Sequence, residues 1–335
     1  MFRTLHLATY AGLLTLGGLA SSASAAELKA VASFSIIADF AKNVGGDRVE
    51  ISTLVPVDGD THVYEPRPAD AAALEQADVV LVNGLQFEGF MSRLIETSGT
   101  TAPVIEVSKG IEPLKAAEEE HAHHEGEEHA KAGLDQDHKA EEHADAGDDH
   151  GHEGHHHHGE FDPHAWQSIH NAEIYVKNIA DAFCEADKAG CATYTANSEA
   201  YLAKLGELET EIKAAINVIP QDKRTIITSH DAFGYFAHEY GLKFIAAEGL
   251  STEAEASAAD VARLVDQVKE EKASAIFVEN ITNPRLVEQI AGETGLKVGG
   301  TLYSDALSGE DGPASTYIDM FRYNVNTIKA AILGS

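Results

Sequence analysis

The chain has 335 residues, 44% of them apolar, enough for two domains that each bury a core. Its formal net charge of −31 argues against nucleic acid or an anionic membrane surface as a partner. Much of that charge sits in one stretch, so the parts expected to fold are only moderately acidic.

Residues 1–25 read as a signal peptide. Arg3 precedes an apolar, glycine-rich run from Thr9 to Leu19, and Ala23-Ser24-Ala25 supplies small residues for cleavage near Ala25. The run is too short to span a bilayer, and no cysteine near the cleavage site is placed to carry a lipid. The expectation is export to a bacterial periplasm as a soluble monomer.

The next segment, 26–187, reads as an α/β domain. Strands are predicted over 28–33, 49–55, 78–83 and 103–107, and helices over 36–44, 69–76 and 87–97. Pro68 opens the second helix at its first turn. Strand–helix alternation through about eighty residues is the pattern of a parallel sheet with helices on both faces.

An insertion at 117–160 interrupts this domain. Between Glu118 and Glu160 lie twelve of the 18 histidines: His121, His123, His124, His129, His138, His143, His150, His152, His155, His156, His157 and His158. Fifteen carboxylates share the stretch with only Lys131 and Lys139. With almost nothing to bury, it is predicted to be a solvated, disordered loop. A linker needs charge but not a dozen imidazoles, so the loop reads as a secondary metal-binding tract.

A helix is predicted over 169–183, then a break carrying Cys184 and Cys191. In an oxidising compartment this pair is expected to close as a disulfide, the other reading being two thiolate metal ligands. Residues 188–218 then read as a linker helix. Tyr194, Tyr201, Leu205, Leu208, Ile212 and Ile216 recur at helical spacing, and the helix would run roughly 40 Å, long enough to bridge two domains.

Residues 219–335 repeat the first pattern. Strands are predicted over 225–228, 243–247, 275–278 and 298–303, and helices over 233–240, 258–272, 284–294 and 316–333. The fold class is therefore α/β: two domains with four strand–helix units each, parallel sheets, a long rigid linker helix, and a cleft between. His62, His230 and Asp305 each lie just beyond the carboxyl end of a predicted strand, where open α/β sheets bind ligands. His164 follows the acidic loop. A lone histidine at a strand end is usually an ordinary hydrogen-bonded polar group; three with a carboxylate at equivalent places in two domains are a stronger signal.

The segments Asp60-Thr61-His62-Val63-Tyr64-Glu65-Pro66-Arg67-Pro68, Asp162-Pro163-His164-Ala165-Trp166, Ser229-His230-Asp231-Ala232-Phe233-Gly234-Tyr235-Phe236, Val278-Glu279-Asn280 and Tyr303-Ser304-Asp305-Ala306-Leu307 carry a family resemblance. The chain resembles the metal receptors among bacterial ABC-transporter solute-binding proteins, and most closely their zinc receptors of the ZnuA and AztC type. The resemblance implies two α/β domains joined by a long helix, with metal in the cleft. It implies His62, His164, His230 and Asp305 as ligands, and a membrane permease as partner. Manganese and iron members usually place a carboxylate where this chain has His230, and an acidic His-rich insertion is typical of zinc members.

Three imidazoles and one carboxylate suit Zn2+ as the transported ion, with a manganese or iron receptor as the alternative within the family. Some zinc receptors have a Glu next to the first histidine; Thr61 stands there, so Asp305 is expected to complete the site. Glu279 and Tyr303 either orient imidazoles or pack ordinarily. A zinc hydrolase would need an open coordination position and a general base, and no H-E-x-x-H helix occurs, so no catalysis is expected. A zinc buffer or adhesin without a transporter is the further alternative. For the loop, collecting scarce metal, sensing excess and accepting zinc from a periplasmic metallochaperone all stay open.

Overall fold

In the computed structural model, residues 28–116, 159–253 and 256–334 are described. The signal segment and the histidines from His121 to His158 lie outside the described residues.

The first domain contains β1 (Leu28–Phe34), α1 (Ser35–Gly45), β2 (Val49–Val55), α2 (Pro68–Glu75), β3 (Val79–Val82), α3 (Met91–Ser98), β4 (Val104–Glu106) and α4 (Ile169–Ala186). Then comes the 27-residue α5 (Cys191–Asn217). The second domain contains β5 (Thr225–Thr228), α6 (Gly234–Tyr240), β6 (Lys243–Ala246), α7 (Ala258–Glu270), β7 (Ala275–Glu279), α8 (Arg285–Thr294), β8 (Val298–Leu302) and α9 (Tyr317–Leu333). Both sheets are four-stranded and fully parallel, and their orders match: β2-β1-β3-β4 and β6-β5-β7-β8. The expected α/β architecture of two parallel sheets flanked by helices is therefore present.

Because strand side chains alternate between faces, each sheet feeds two cores. Ala30, Ala32 and Phe34 of β1 face one side, while Val31 joins Val80, Val82, Leu74 and Leu94 under α2 and α3. In the second domain Ile227, Ile245 and Ile276 pack under α7 and α8. The inner faces of both sheets contribute to one continuous cluster, with α1, α4, α5, α6 and α9 between them. Helix α5 lies against α1 and α4 on one side and α9 on the other, through Tyr194, Tyr201, Leu205, Leu208, Ile212 and Ile216.

Cys184 and Cys191 form a disulfide across the α4–α5 break. Beside it the Arg48 guanidinium and the Tyr194 hydroxyl, each 2.8 Å from Asp187 Oδ2, hold the Asp187 carboxyl down at about 2.

A helix was expected from Phe87, but α3 begins at Met91. Residues 83–90 form a loop in which Gly84, Leu85 and Gln86 have φ of 84°, 54° and 64°. The buried Glu88 carboxylate draws the Asn83 N–H onto Oε1 at 2.6 Å and so binds the loop backbone. Flanking the insertion, Lys115 and Phe161 form an antiparallel bridge. Among the described residues no helix is long and apolar enough to cross a membrane.

Candidate metal centre

The sheet order places the reversal of winding between β1 and β3, and again between β5 and β7. Crevices at such switch points receive ligands. His62 follows β2, His230 follows β5 and Asp305 follows β8. His164 sits at the start of a short 3-10 turn, Ala165–Gln167, that leads into α4. The structure brings these four side chains together: one nitrogen or oxygen from each lies within 4.8 Å of all the others.

The geometry centres on one oxygen. Asp305 Oδ2 lies 3.1 Å from His62 Nε2, 3.1 Å from His230 Nε2 and 3.7 Å from His164 Nε2. His164, His230 and Asp305 are fully buried, and His62 is nearly so. Asp305 Oδ1 and His164 Nε2 are buried without a hydrogen-bond partner among the described residues. Unpaired buried polar atoms are costly and rare, and two of them within one cluster of potential metal donors are what a cation site presents.

The imidazoles are aimed from behind. Asp162 Oδ1 lies 2.7 Å from His164 Nδ1 and also accepts the His164 N–H at 2.9 Å. Glu279 Oε2 lies 2.6 Å from His230 Nδ1, and its Oε1 accepts the His230 N–H at 2.8 Å. A carboxylate on the far nitrogen fixes the ring and makes its Nε2 a better ligand. Asp60 Oδ1 accepts the His62 N–H at 2.9 Å. Asp305 is placed by Trp166 and Gln167, whose side-chain N–H groups both donate to the Ser304 carbonyl, at 2.9 and 2.7 Å. Phe87 stands edge-on to His62 and His164, with ring centroids at 5.0 and 5.8 Å.

Sequence reasoning named Glu279 as one option for orienting an imidazole, and it does so. Tyr303 does not: its ring meets Tyr323 and its backbone is bound by Asn324. The role of Asp162 went unnamed, although its position two residues before His164 was the available signal. The Cys184–Cys191 pair is bonded and not part of this centre.

Electrostatics follow from burial and mutual charge. Burial opposes charge on His164, but Asp305 and Asp162 outweigh it and push its pKa up to about 9. Burial likewise opposes charge on His230, and Glu279 and Asp305 raise it well above the usual histidine range. For His62 burial wins over Asp305, and the pKa is lowered. Burial would raise Asp305, yet His164 and His230 hold it well below the ordinary carboxylate value. Beside His62 opens a cavity of about 190 Å³, lined among others by Gln86, Phe87, Gly159, Phe161 and Leu250.

Two α/β domains enclosing a buried set of three imidazoles and a carboxylate define a metal-binding receptor. The chain belongs to the ZnuA family, described as zinc-uptake complex component A, periplasmic, whose model matches residues 30–331. It is 34% identical over 305 residues to the manganese-binding lipoprotein MntA of Halalkalibacterium halodurans, covering 91% of this chain and 88% of that one. It is 30% identical over 325 residues to the iron-binding protein YfeA of Yersinia pestis, covering 96% and 93%. Among solved structures, the periplasmic zinc-binding protein TroA of Treponema pallidum superposes with a TM-score of 0.76 at 27% identity, covering 91% of this chain and 99% of that one. The protein is thus a metal-binding substrate receptor of an ABC transporter, a class that works with a membrane permease.

Proposed function

We propose that the protein captures Zn2+ in the periplasm, holds it on His62, His164, His230 and Asp305, and delivers it to the permease without catalysing a reaction. The observation that carries this is the convergence of three Nε2 atoms on Asp305, with His164 Nε2 and Asp305 Oδ1 buried and unpartnered. Three neutral imidazoles and one carboxylate supply four borderline donors, the set that zinc takes tetrahedrally. Four protein ligands would leave no open position for an activated water, which separates capture from hydrolysis.

A second reading has a specific basis: MntA and YfeA are named for manganese and iron, and family membership supports such cargo equally well. What favours zinc is the chain's own chemistry. Manganese prefers harder, more oxygen-rich sites, and only one of the four donor side chains here is a carboxylate. The insertion with its twelve histidines is proposed to bind further zinc more weakly than the buried set.

The test is titration of the mature, metal-free protein with Zn2+ and with Mn2+, for wild type and His230→Ala. One tight zinc event that weakens sharply in the variant supports the reading. Tight manganese binding, or zinc binding indifferent to His230, overturns it.

A further inference from the structure

Glu88 is a buried carboxylate that the metal centre does not use directly. It sits in the loop after β3, and its pairing is unusual. Oε1 accepts from Ser33 Oγ at 2.6 Å and from the Asn83 N–H at 2.6 Å, and Oε2 accepts from the Gly84 N–H at 3.4 Å. Among the described residues no lysine, arginine or histidine forms an ion pair with it. Burial pushes its carboxyl above the usual range, so keeping it there has a cost in stability.

The loop that it holds is strained. Leu85 and Gln86 lie consecutively in the left-handed region, φ 54° and 64°, a conformation that is sterically unfavourable for non-glycine residues. Strain of this kind persists only where surrounding contacts over-determine it. Here those contacts are the Glu88 carboxylate and the Phe87 N–H, which donates to the Gly84 carbonyl at 3.1 Å.

Both ends of this loop lead to the metal centre. The Asn83 side-chain amide donates to the Pro163 carbonyl at 2.9 Å, immediately before His164, and accepts from the Tyr175 hydroxyl at 2.5 Å. Phe87 puts its ring edge-on to His62 and His164 and also against Trp166, at 4.7 Å between centroids. The contrast among the three histidines is informative. His164 and His230 have carboxylates on Nδ1, whereas no described side chain holds Nδ1 of His62. Its ring is confined by Asp305 on one side and the Phe87 edge on another.

We infer that Glu88, anchored by Ser33, is a positioning residue for the metal centre: it holds the left-handed 84–86 turn so that Phe87 orients His62 and Asn83 fixes the Pro163–His164 segment. The inference rests on the metal-centre reading above. It assigns to His62 a support that acts through a turn and a ring, where His164 and His230 each have a carboxylate directly on Nδ1.

The test uses the full mature protein, metal-free, as wild type, Glu88→Gln, Phe87→Leu, the double variant, and His230→Ala. The Glu88→Gln side chain keeps its size but faces an NH2 towards the Gly84 N–H. Zn2+ affinity is read by chelator competition, ligand geometry by the visible spectrum of the Co2+ form, and stability by thermal unfolding without metal. For Glu88→Gln the expected result is a roughly 10-fold weaker Zn2+ affinity and an altered Co2+ spectrum, with unfolding of the metal-free protein no earlier than wild type. If Glu88 acts through Phe87, the double variant loses less than the two single losses combined. Unchanged affinity and spectrum in Glu88→Gln, with His230→Ala impaired, overturns the inference and leaves the metal-centre reading standing. So does early unfolding of Glu88→Gln with fully additive losses in the double variant, which marks a merely structural role. A wild type without tight metal binding, or an unimpaired His230→Ala, overturns both.

Discussion

Asp305 Oδ2 and His62 Nε2 face each other at 3.1 Å across the cleft, one from the end of β8 and the other from the loop after β2. The carboxylate is therefore the point at which the second domain meets the clustered imidazoles of the first. Asp305→Asn keeps the shape but removes the charge that compensates His164 and His230. Its zinc affinity is expected to fall by more than the roughly 10–100-fold typical of losing an outer hydrogen-bond partner. Titration of the metal-free variant checks this; retention of wild-type affinity removes Asp305 from the ligand set.

Metal has to compete with protons at this centre. His164 is pushed up to about 9 and His230 well above its usual value, so both are protonated at pH 7 without metal. His62 is lowered and Asp305 is held far down, so neither carries a proton there. Ligation requires neutral imidazole, and binding at pH 7 should release about two protons. Affinity should fall steadily as pH drops below about 9, where His164 takes up its proton. Binding heats compared across buffers of different ionisation enthalpy give the number directly; a value near zero contradicts the charge assignment.

The regular part of this structure was readable because glycine and proline punctuate it and apolar spacing switches period between strands and helices. Pro68 at the first turn of α2 and Gly295 after α8 stand where the chain says they should. The start of α3 was misread because Phe87, Met91 and Leu94 continue a helical spacing, while the group that breaks it, Glu88, answers to Ser33 on another strand. The four clustered side chains were visible as polar residues after strand ends. The supports behind them were not, since Trp166 and Gln167 reach the Ser304 carbonyl from more than 130 residues away. Contacts of that range leave no local pattern.

The Cys184–Cys191 bond joins the end of α4 to the start of α5, the helix that contacts both domains. Closing so short a loop restricts the unfolded chain by about 2–3 kcal/mol in the chain-entropy picture. Reduction, or Cys184→Ala with Cys191→Ala, should lower unfolding stability by that amount. Zinc affinity should stay unchanged, because neither sulfur lies near the centre. Denaturant unfolding with and without reductant, beside a zinc titration, separates the two effects; a loss of affinity on reduction overturns the purely structural role.

Asp39 on α1 ties the domains together at the other side of the core. Its Oδ2 accepts the Tyr317 N–H at the start of α9 at 3.1 Å and the Tyr201 hydroxyl of α5 at 3.3 Å. Burial raises its carboxyl to about 6 despite those hydrogen bonds. The folded protein therefore holds this proton more tightly than the unfolded chain does. Sign follows from linkage: the contribution of Asp39 to stability declines as pH rises from about 4 through 6, and its full cost is present above that. Asp39→Asn retains an acceptor for Tyr317 and removes the buried charge. The variant should gain on the order of 3 kcal/mol over wild type at pH 8, and little at pH 4. Unfolding of both proteins without metal at the two pH values isolates this residue, because the contributions of His164 and His230 cancel in the difference. An equal effect of the substitution at pH 4 and pH 8 would show that Asp39 stays ionised throughout and acts on stability only as a helix cap.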